Sequence, residues 1–384
     1  MGIGLILPVM PDLIQEVKGG TLGDAAIWGG ILATSFAVMQ FLFGPAVGSI
    51  SDRYGRRPVL LISLAILAID YVVMAFTGSI WVLLIARIVA GIAAATQSTA
   101  SAFIADISPP EKKAQNFGLI GAAFGIGFVL GPVIGGLLAD FGSRAPFWAA
   151  AGLATANLIF GYFVLPETVT DRIRRPFVLR RANPLGSFLH MGKLPGIKHL
   201  LALVLIYEFA FIVYPAVWAY FTKERFGWDP WMVGFSLGAF GVGMAIVQGV
   251  LIRFIIPRLG ERGTIIYGIG FNFCAFVVLA TVTNGTIALL FTPITALGAV
   301  VTPALTGLLS KKVPDDAQGE LQGVIASTKS IALITAPLVM TQIFWLFTSD
   351  IAPVYMPGAP FALSAVLMVI CAFVVLMPSH AETT

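Results

Sequence analysis

The stretch Gly48-Ser49-Ile50-Ser51-Asp52-Arg53-Tyr54-Gly55-Arg56-Arg57-Pro58 sets a dense group of charges and glycines between two long apolar runs. A shorter echo, Arg258-Leu259-Gly260-Glu261-Arg262, stands 205 residues later, again between apolar runs. Charged side chains do not cross hydrocarbon readily, so each stretch reads as a tight hairpin at one side of a membrane. One hairpin in each half of the chain predicts two related helical bundles.

Composition agrees. Of 384 residues, 58% are hydrophobic and 11% charged, against about 25% charged in soluble domains. Uncharged runs at 25–46, 118–138 and 231–252 are each near the ~20 residues that cross ~30 Å of hydrocarbon. The reading gives eleven complete spans and a partial first one: 1–15 (partial), 25–47, 58–77, 80–101, 117–140, 145–165, 199–221, 231–252, 264–283, 285–309, 319–348 and 356–378. Helices satisfy their own backbone in lipid, so the prolines and glycines inside these spans are tolerated.

Several function classes fall away. Cys274 and Cys371 lie within apolar spans without metal-ligand spacing, so no metal site and no resident cofactor is expected. No phosphate-binding loop is present, which removes ATP as an energy source. His190, His199 and His380 lie in loops or near span ends, away from any Cys or acid at ligand spacing. Gly125 and Gly127 fall mid-span, beyond the reach of a dinucleotide. No enzyme motif remains, and the slight positive balance follows topology, so no nucleic-acid partner is expected.

That topology is written in the loops. One alternate set carries Arg53, Arg56, Arg57, Lys112, Lys113, a basic run from Arg172 to Lys198, Arg253, Arg258, Arg262, Lys311 and Lys312. The other carries only Lys18, Arg144, Lys223 and Arg225. The positive-inside rule assigns the basic side, and with it the C-terminus, to the cytoplasm. The long connection, with Arg172, Arg174, Arg175, Arg180 and Arg181, reads as a tether, with a lipid-binding polybasic switch as the lesser alternative. Tyr220 and Trp228, near span ends, read as interface-belt residues.

The halves align at the constant offset of 205: Arg53 with Arg258, Gly55 with Gly260, Arg57 with Arg262, Pro109 with Pro314, Gly118 with Gly323, and Pro132 with Pro337. Parallel repeats of six spans related by an axis along the membrane normal belong to the major facilitator architecture. The expected fold is therefore an all-α polytopic membrane protein of two six-helix bundles, 1–166 and 199–384, joined by a cytoplasmic loop at 167–198, with the first helix truncated. The seventh span begins near His199, so its first-half counterpart is expected to begin about six residues before Met1. A start upstream of Met1 is the favoured reading.

The segment from Gly48 through Asp52, Arg53, Gly55, Arg56 and Arg57 resembles the loop signature of major facilitator transporters. Gly127, Gly131, Pro132, Gly135 and Gly136 resemble the fifth-span signature of drug–proton antiporters. Met1-Gly2-Ile3-Gly4-Leu5-Ile6-Leu7-Pro8, the run from Ser51 to Leu60, Arg225-Phe226-Gly227-Trp228 and Met232-Val233-Gly234-Phe235-Ser236-Leu237 resemble the tetracycline–proton antiporters over nearly the whole chain. In that family the first span carries an Asp just upstream of the segment matching Met1, and the ninth carries an acid where Asn272 stands here. Of those three membrane acids, Asp70 is the one within these residues.

The loop motif can act as a gate: Asp52 is suited to a helix N-terminus and to pairing with a nearby Arg, contacts that would hold the halves together on the inner side. A pure topology anchor is the plainer reading. The span-five glycines, with Gly121 and Gly125, make a strip on which another helix packs closely; the resemblance adds a role in sealing the bundle interface against proton leakage.

Charges inside spans default to functional candidates. Asp70 and Arg87 flank the turn at Gly78–Ser79 and should pair at similar depth; Glu208 and Lys329 form a second candidate pair, ~15 Å deep at 1.5 Å per residue. Each pair is read as either static or proton-linked. Gln40, Gln97, Tyr207, Tyr214, Trp218, Gln248 and Asn272 are the candidate lining of a substrate cavity, and each is equally suited to face lipid headgroups or a neighbouring helix.

The resemblance implies a secondary active efflux transporter of the bacterial inner membrane, confering antibiotic resistance by exchanging a drug-like substrate for protons. That substrate is expected to be tetracycline with a divalent cation such as magnesium, and the working unit a monomer. The alternatives are an uncoupled exporter of another amphipathic molecule and a truncated, non-transporting membrane protein.

Overall fold

A computed structural model describes residues 1–170, 183, 197–314 and 317–376. The basic run at Arg172–Arg181, with His190, and the C-terminal His380 lie outside the described residues. Among those described, ten helical stretches are long and apolar enough to cross a membrane. One of them, Pro230–Thr281, is 52 residues long and holds two spans, because Gly260 breaks it with non-helical dihedrals (φ 68°, ψ 175°).

Twelve spans result. Span 1 is Gly2–Ile6, the 3₁₀ turn Leu7–Val9 and Met10–Lys18. Spans 2 and 3 are Leu22–Tyr54 and Arg56–Phe76. Span 4 is Ile80–Ala93 and Gln97–Ile107. Spans 5 and 6 are Lys113–Ala139 and Ala145–Val164. Span 7 is Lys198–Phe211 and Val213–Phe226. Span 8 starts as Pro230–Ile246 and passes through a π-helical turn, Val247–Leu251; span 9 follows Gly260 to Thr281. Span 10 is Gly285–Thr295, the 3₁₀ turn Ala296–Val300 and Val301–Lys311. Spans 11 and 12 are Gln318–Thr348 and Ala359–Leu376.

Local chemistry sets the ends opposite the basic side. Thr21 and Asp24 form a reciprocal capping box at the start of span 2, and Asp229 caps span 8 with Pro230 in its first turn. Asn284 accepts from the Thr286 and Ile287 amides to start span 10. Such caps satisfy amide groups that the first helical turn leaves without partners.

The charged hairpin is tighter than the sequence implies. Span 2 stays helical to Tyr54, so Asp52 and Arg53 sit on a helix rather than in a loop, and Gly55 alone makes the turn (φ 115°, ψ 147°). Gly260 does the same between spans 8 and 9. Both angles lie in the region that favours glycine.

Helix packing repeats between the halves: span 3 packs on 6 as span 9 packs on 12, and span 1 on 5 as span 7 on 11. Between bundles, span 2 packs on 11 and span 8 on 5. The repeat-related spans 1 and 7, and likewise 4 and 10, are all interrupted near their middles. Pro8 lies in the span 1 break. Pro215 follows the span 7 break at Ile212, and its ring nitrogen has no hydrogen to continue the helical ladder.

The bundles meet on the side poor in basic residues. Gly23 and Gly30 of span 2 receive Trp345, Thr348 and Thr341 of span 11, while Gly234, Gly238 and Gly241 of span 8 receive Pro132, Val133 and Val129 of span 5. A Cβ at Gly234 would overlap the Pro132 carbonyl, and one at Gly30 would lie 3.1 Å from the carbonyl of Pro337. The two repeat-related prolines thus sit at equivalent seams. Toward the basic side, Gly44, Gly118, Gly121, Gly125 and Gly249 have no atom within 4 Å of a Cβ position outside their own helix backbone. The seam closes at one face and parts toward the other.

Candidate functional site

The two membrane ion pairs lie at different levels of exposure. Asp70 of span 3 and Arg87 of span 4 are in contact, with side chains 2% and 10% exposed. Arg87 also lies 5.4 Å from the centre of the Phe36 ring of span 2, and a Cβ at neighbouring Gly91 would lie 2.5 Å from the Phe36 carbonyl. The pair is therefore enclosed by spans 2, 3 and 4. Lys329 Nζ of span 11 is 2.9 Å from Glu208 Oε1 of span 7, with side chains 32% and 21% exposed. Thr302 Oγ1 of span 10 donates to the same carboxylate oxygen at 3.4 Å.

The cavity candidates divide. Gln97 and Gln248 are exposed, and Gln248 sits in the π turn of span 8; such turns leave an irregular backbone that recurs at functional sites. Tyr207, Tyr214, Trp218 and Asn272 instead point into the closed interior of the second bundle, each no more than 4% exposed. The reason is local chemistry. The Asn272 amide donates to the Gly298 carbonyl at 3.0 Å and to the Tyr207 hydroxyl at 3.1 Å, and the Tyr207 hydroxyl donates to the Gly298 carbonyl at 3.3 Å. Gly298 lies in the interruption of span 10, where carbonyls lose their helical partners. Gln40 does the same for span 4: its amide donates to the Ala94 carbonyl at 3.2 Å. Trp218 donates to Ser236 at 2.9 Å, and the Tyr214 ring stacks on Phe240, lies tilted beside Phe276 and meets Phe361 edge-on. The Gln40 and Asn272 amides and the Tyr207 hydroxyl thus brace helices where they break, and Trp218 and Tyr214 pack in the aromatic interior.

Tyr220 and Trp228 are not interface-belt residues. Tyr220 is 5% exposed, with its hydroxyl against Gly29 across the bundle seam, and Trp228 is 7% exposed beside Trp218 and Phe226.

On the basic side the hairpin is a network. Arg56 pairs with Asp52 at 3.3 Å and, through Nε, with Asp106 of span 4 at 2.5 Å. The carboxylate at the N-terminus of span 3 is Glu167, which accepts from the Arg56 and Arg57 amides at 2.9 and 3.3 Å. Arg57 donates to the Tyr162 carbonyl at 2.6 Å. Ser51 donates to the Gly48 carbonyl and accepts from Thr99, while a Cβ at Gly48 would lie 2.9 Å from Ser98. In the second half, Lys311 pairs with Glu261 at 2.8 Å and Arg262 donates to the Val375 carbonyl at 3.1 Å.

The span-five motif serves two neighbours. Gly127, Gly131 and Gly135 face span 1, where a Cβ at Gly135 would overlap the Leu5 carbonyl. Gly136 faces Pro230 and Trp231 of span 8. Where spans 5 and 8 meet, the bundle seam is thus formed by Gly136 and by the glycines of span 8, while the four-residue strip holds span 1. Sequence reasoning also missed the contacts closing the face opposite the basic side. Asp12 of span 1 pairs with Lys223 of span 7; Trp345 donates to Asp24 at 3.2 Å and Thr34 to the Ile334 carbonyl at 2.9 Å. The signal was present in Asp12 and Lys223, an acid and a base at the same ends of repeat-related spans.

Comparisons with known proteins agree with this architecture. The model of the Major Facilitator Superfamily matches residues 1–337. The chain is 41% identical to the tetracycline resistance protein, class C, of Escherichia coli over 344 residues, 90% of this chain and 86% of that protein. It is 34% identical to the class B protein of Escherichia coli over 347 residues, 90% and 85% of the two chains. The crystal structure of the human organic anion transporter MFSD10 superposes with a TM-score of 0.71 at 25% identity, covering 97% of this chain and 95% of that one. A D-xylose–proton symporter shares the fold at a TM-score of 0.73 and 18% identity, covering 100% and 98%. With its apolar spans, repeated bundles and paired hairpins, this chain is a multi-pass membrane protein that belongs to the major facilitator superfamily and groups with its tetracycline resistance proteins.

Proposed function

We propose that the chain is a secondary active exporter that exchanges a drug-like substrate from the cytoplasm for external protons by alternating access. The substrate class is that named for its relatives, tetracycline, entering with a divalent cation such as magnesium. The basic face and the C-terminus are cytoplasmic, so the seam drawn apart on that face is an inward-open state, and the working unit is a monomer.

The observation that carries proton coupling is the enclosed Asp70–Arg87 pair. Protonating Asp70 removes the counter-charge of a guanidinium that has little access to water. Losing one partner of a buried pair costs about 3–5 kcal/mol, enough to favour a different packing of spans 3 and 4. Phe36 carries that change to span 2, which packs across the seam on span 11. The proton and the bundle interface are thereby linked through one continuous set of contacts. In this inward-open state the hairpin contacts of Asp52 and Arg56 stay within the first bundle, where they brace span 3 against span 4.

The test is tetracycline uptake by inverted membrane vesicles. Uptake should need a proton gradient and collapse both with an uncoupler and in Asp70→Asn. Undiminished uptake without a gradient would favour the second reading, an uncoupled exporter of an amphipathic molecule. That reading draws on Asn272, whose neutral amide is engaged by Gly298 and Tyr207 where the family resemblance expects an acid.

A further inference from the structure

We propose that Glu208, Thr302 and Lys329 form the ionic subsite that anchors the substrate, taking a ligand with a cationic group beside an anionic one. The inference rests on the transport reading and separates the roles of the two membrane ion pairs.

The three residues come from spans 7, 10 and 11, with Lys329 and Thr302 both on Glu208 Oε1. Unlike the enclosed Asp70–Arg87 pair, this one leaves a fifth to a third of each side chain exposed. Ionic groups well inside a span face protein or a water-filled space rather than hydrocarbon, and the seam drawn apart toward the basic face supplies that space. One helical turn further along span 7, Ile212 packs on Ala332 and Ala336 of span 11 within the second bundle, setting apolar side chains behind the charges. The site therefore has an open front and an apolar floor.

The fold does not require the pair. At the offset of 205 its first-half counterparts are Ile3 and Phe124, so the equivalent packing of spans 1 and 5 within the first bundle holds without charge. An ion pair with a fifth to a third of each side chain exposed is also less firmly held than an enclosed one, because water screens it and reaches both charges when it opens. An incoming cationic group can take Glu208 from Lys329, and the freed ammonium then meets the anionic part of the same ligand. The Thr302 hydroxyl, a donor and acceptor, supplies a neutral contact to either.

The experiment uses the full chain in lipid nanodiscs and proteoliposomes, with tetracycline plus magnesium as the probe and ethidium as a purely cationic second probe. Equilibrium binding and gradient-free counterflow are read for the wild type, Glu208→Gln, Lys329→Met and the double variant, with monodispersity by size exclusion. The expected result is that Glu208→Gln weakens binding of both probes about tenfold, one lost charge-assisted contact, and slows counterflow in step. Lys329→Met should weaken tetracycline and leave ethidium bound, and the double variant should stay weak for both. Unchanged binding and counterflow in Glu208→Gln, with gradient-driven uptake lost, would make the carboxylate a proton carrier and overturn the proposal. Wild-type binding regained in the double variant would make the pair a static bridge and also overturn it. A wild type that binds ethidium but not tetracycline would refute the substrate reading while the Glu208 arm still decides the subsite. Binding neither probe would overturn both.

Discussion

The two halves of the molecule treat their charges differently at two depths. At the basic face, Arg56 pairs with Asp106 in the first half, and the positions 205 residues on are Glu261 and Lys311, also paired. The contact is kept and its sign inverted. Inside the membrane, Asp70 and Arg87 have Ala275 and Thr292 as their counterparts, so the second half lacks that pair altogether. A contact that survives inversion of its charges is needed for its geometry, here a brace between the hairpin and the end of span 4 or 10. A pair present in one half alone is not demanded by the fold, and its desolvation cost calls for a functional return.

The strongest way to break this comparison is at Asp70. Asp70→Asn should abolish gradient-driven uptake and, by leaving Arg87 without a counter-charge, destabilise the bundle by about 3–5 kcal/mol, read as a lower thermal unfolding midpoint in detergent. Adding Arg87→Gln should recover much of the stability and none of the transport. Recovery of both would make the pair structural, like the hairpin pairs.

Packing without charge comes next. Gly135→Val forces a branched side chain onto the Leu5 carbonyl and should cost about 1–3 kcal/mol as overpacking, whereas Gly125→Val, with open space around its Cβ, should leave the unfolding midpoint near that of the wild type. Equal effects at both positions would erase the assignment of the glycine strip to span 1.

The inverted hairpin pair offers a sharper, smaller test. Asp106→Lys alone should set two cations together at Arg56 and lower transport, and combining it with Arg56→Glu, the sign pattern of the second half, should recover transport above either single variant. The smallest effect belongs to Asp12→Asn. The pair with Lys223 is partly exposed and contributes only ~0–1 kcal/mol, so the variant should transport, while cysteine labelling of the seam from the face opposite the basic side becomes faster.

The hairpins, the repeat and both membrane ion pairs were legible in the sequence because a charge or a hinge glycine stands out against an apolar background. Partners on the far side of a helix were not. Gly135 and Gly136 are adjacent and chemically identical, yet one meets span 1 and the other span 8, a choice fixed by helix azimuth and three-dimensional docking. Gln40 and Asn272 read as lining residues because a buried amide suggests a ligand; the carbonyls they satisfy become available only where spans 4 and 10 break. The Arg56–Asp106 and Glu261–Lys311 correspondence was within reach of the offset, but a search for identical residues passes over a pair whose signs are exchanged.

Glu167 gives the hairpin a further property. Its carboxylate caps span 3 and accepts from the amides of Thr168 and Val169 as well, while Thr168 reaches Asp106 through its hydroxyl. These residues begin the connection between the bundles, so the strap that joins the halves is knotted into the same cluster that Arg56 and Asp106 form. The start of the connection is therefore tied to the first turn of span 3 and to Asp106 of span 4, so the carboxylates that hold the hairpin also fix where the chain leaves the first bundle.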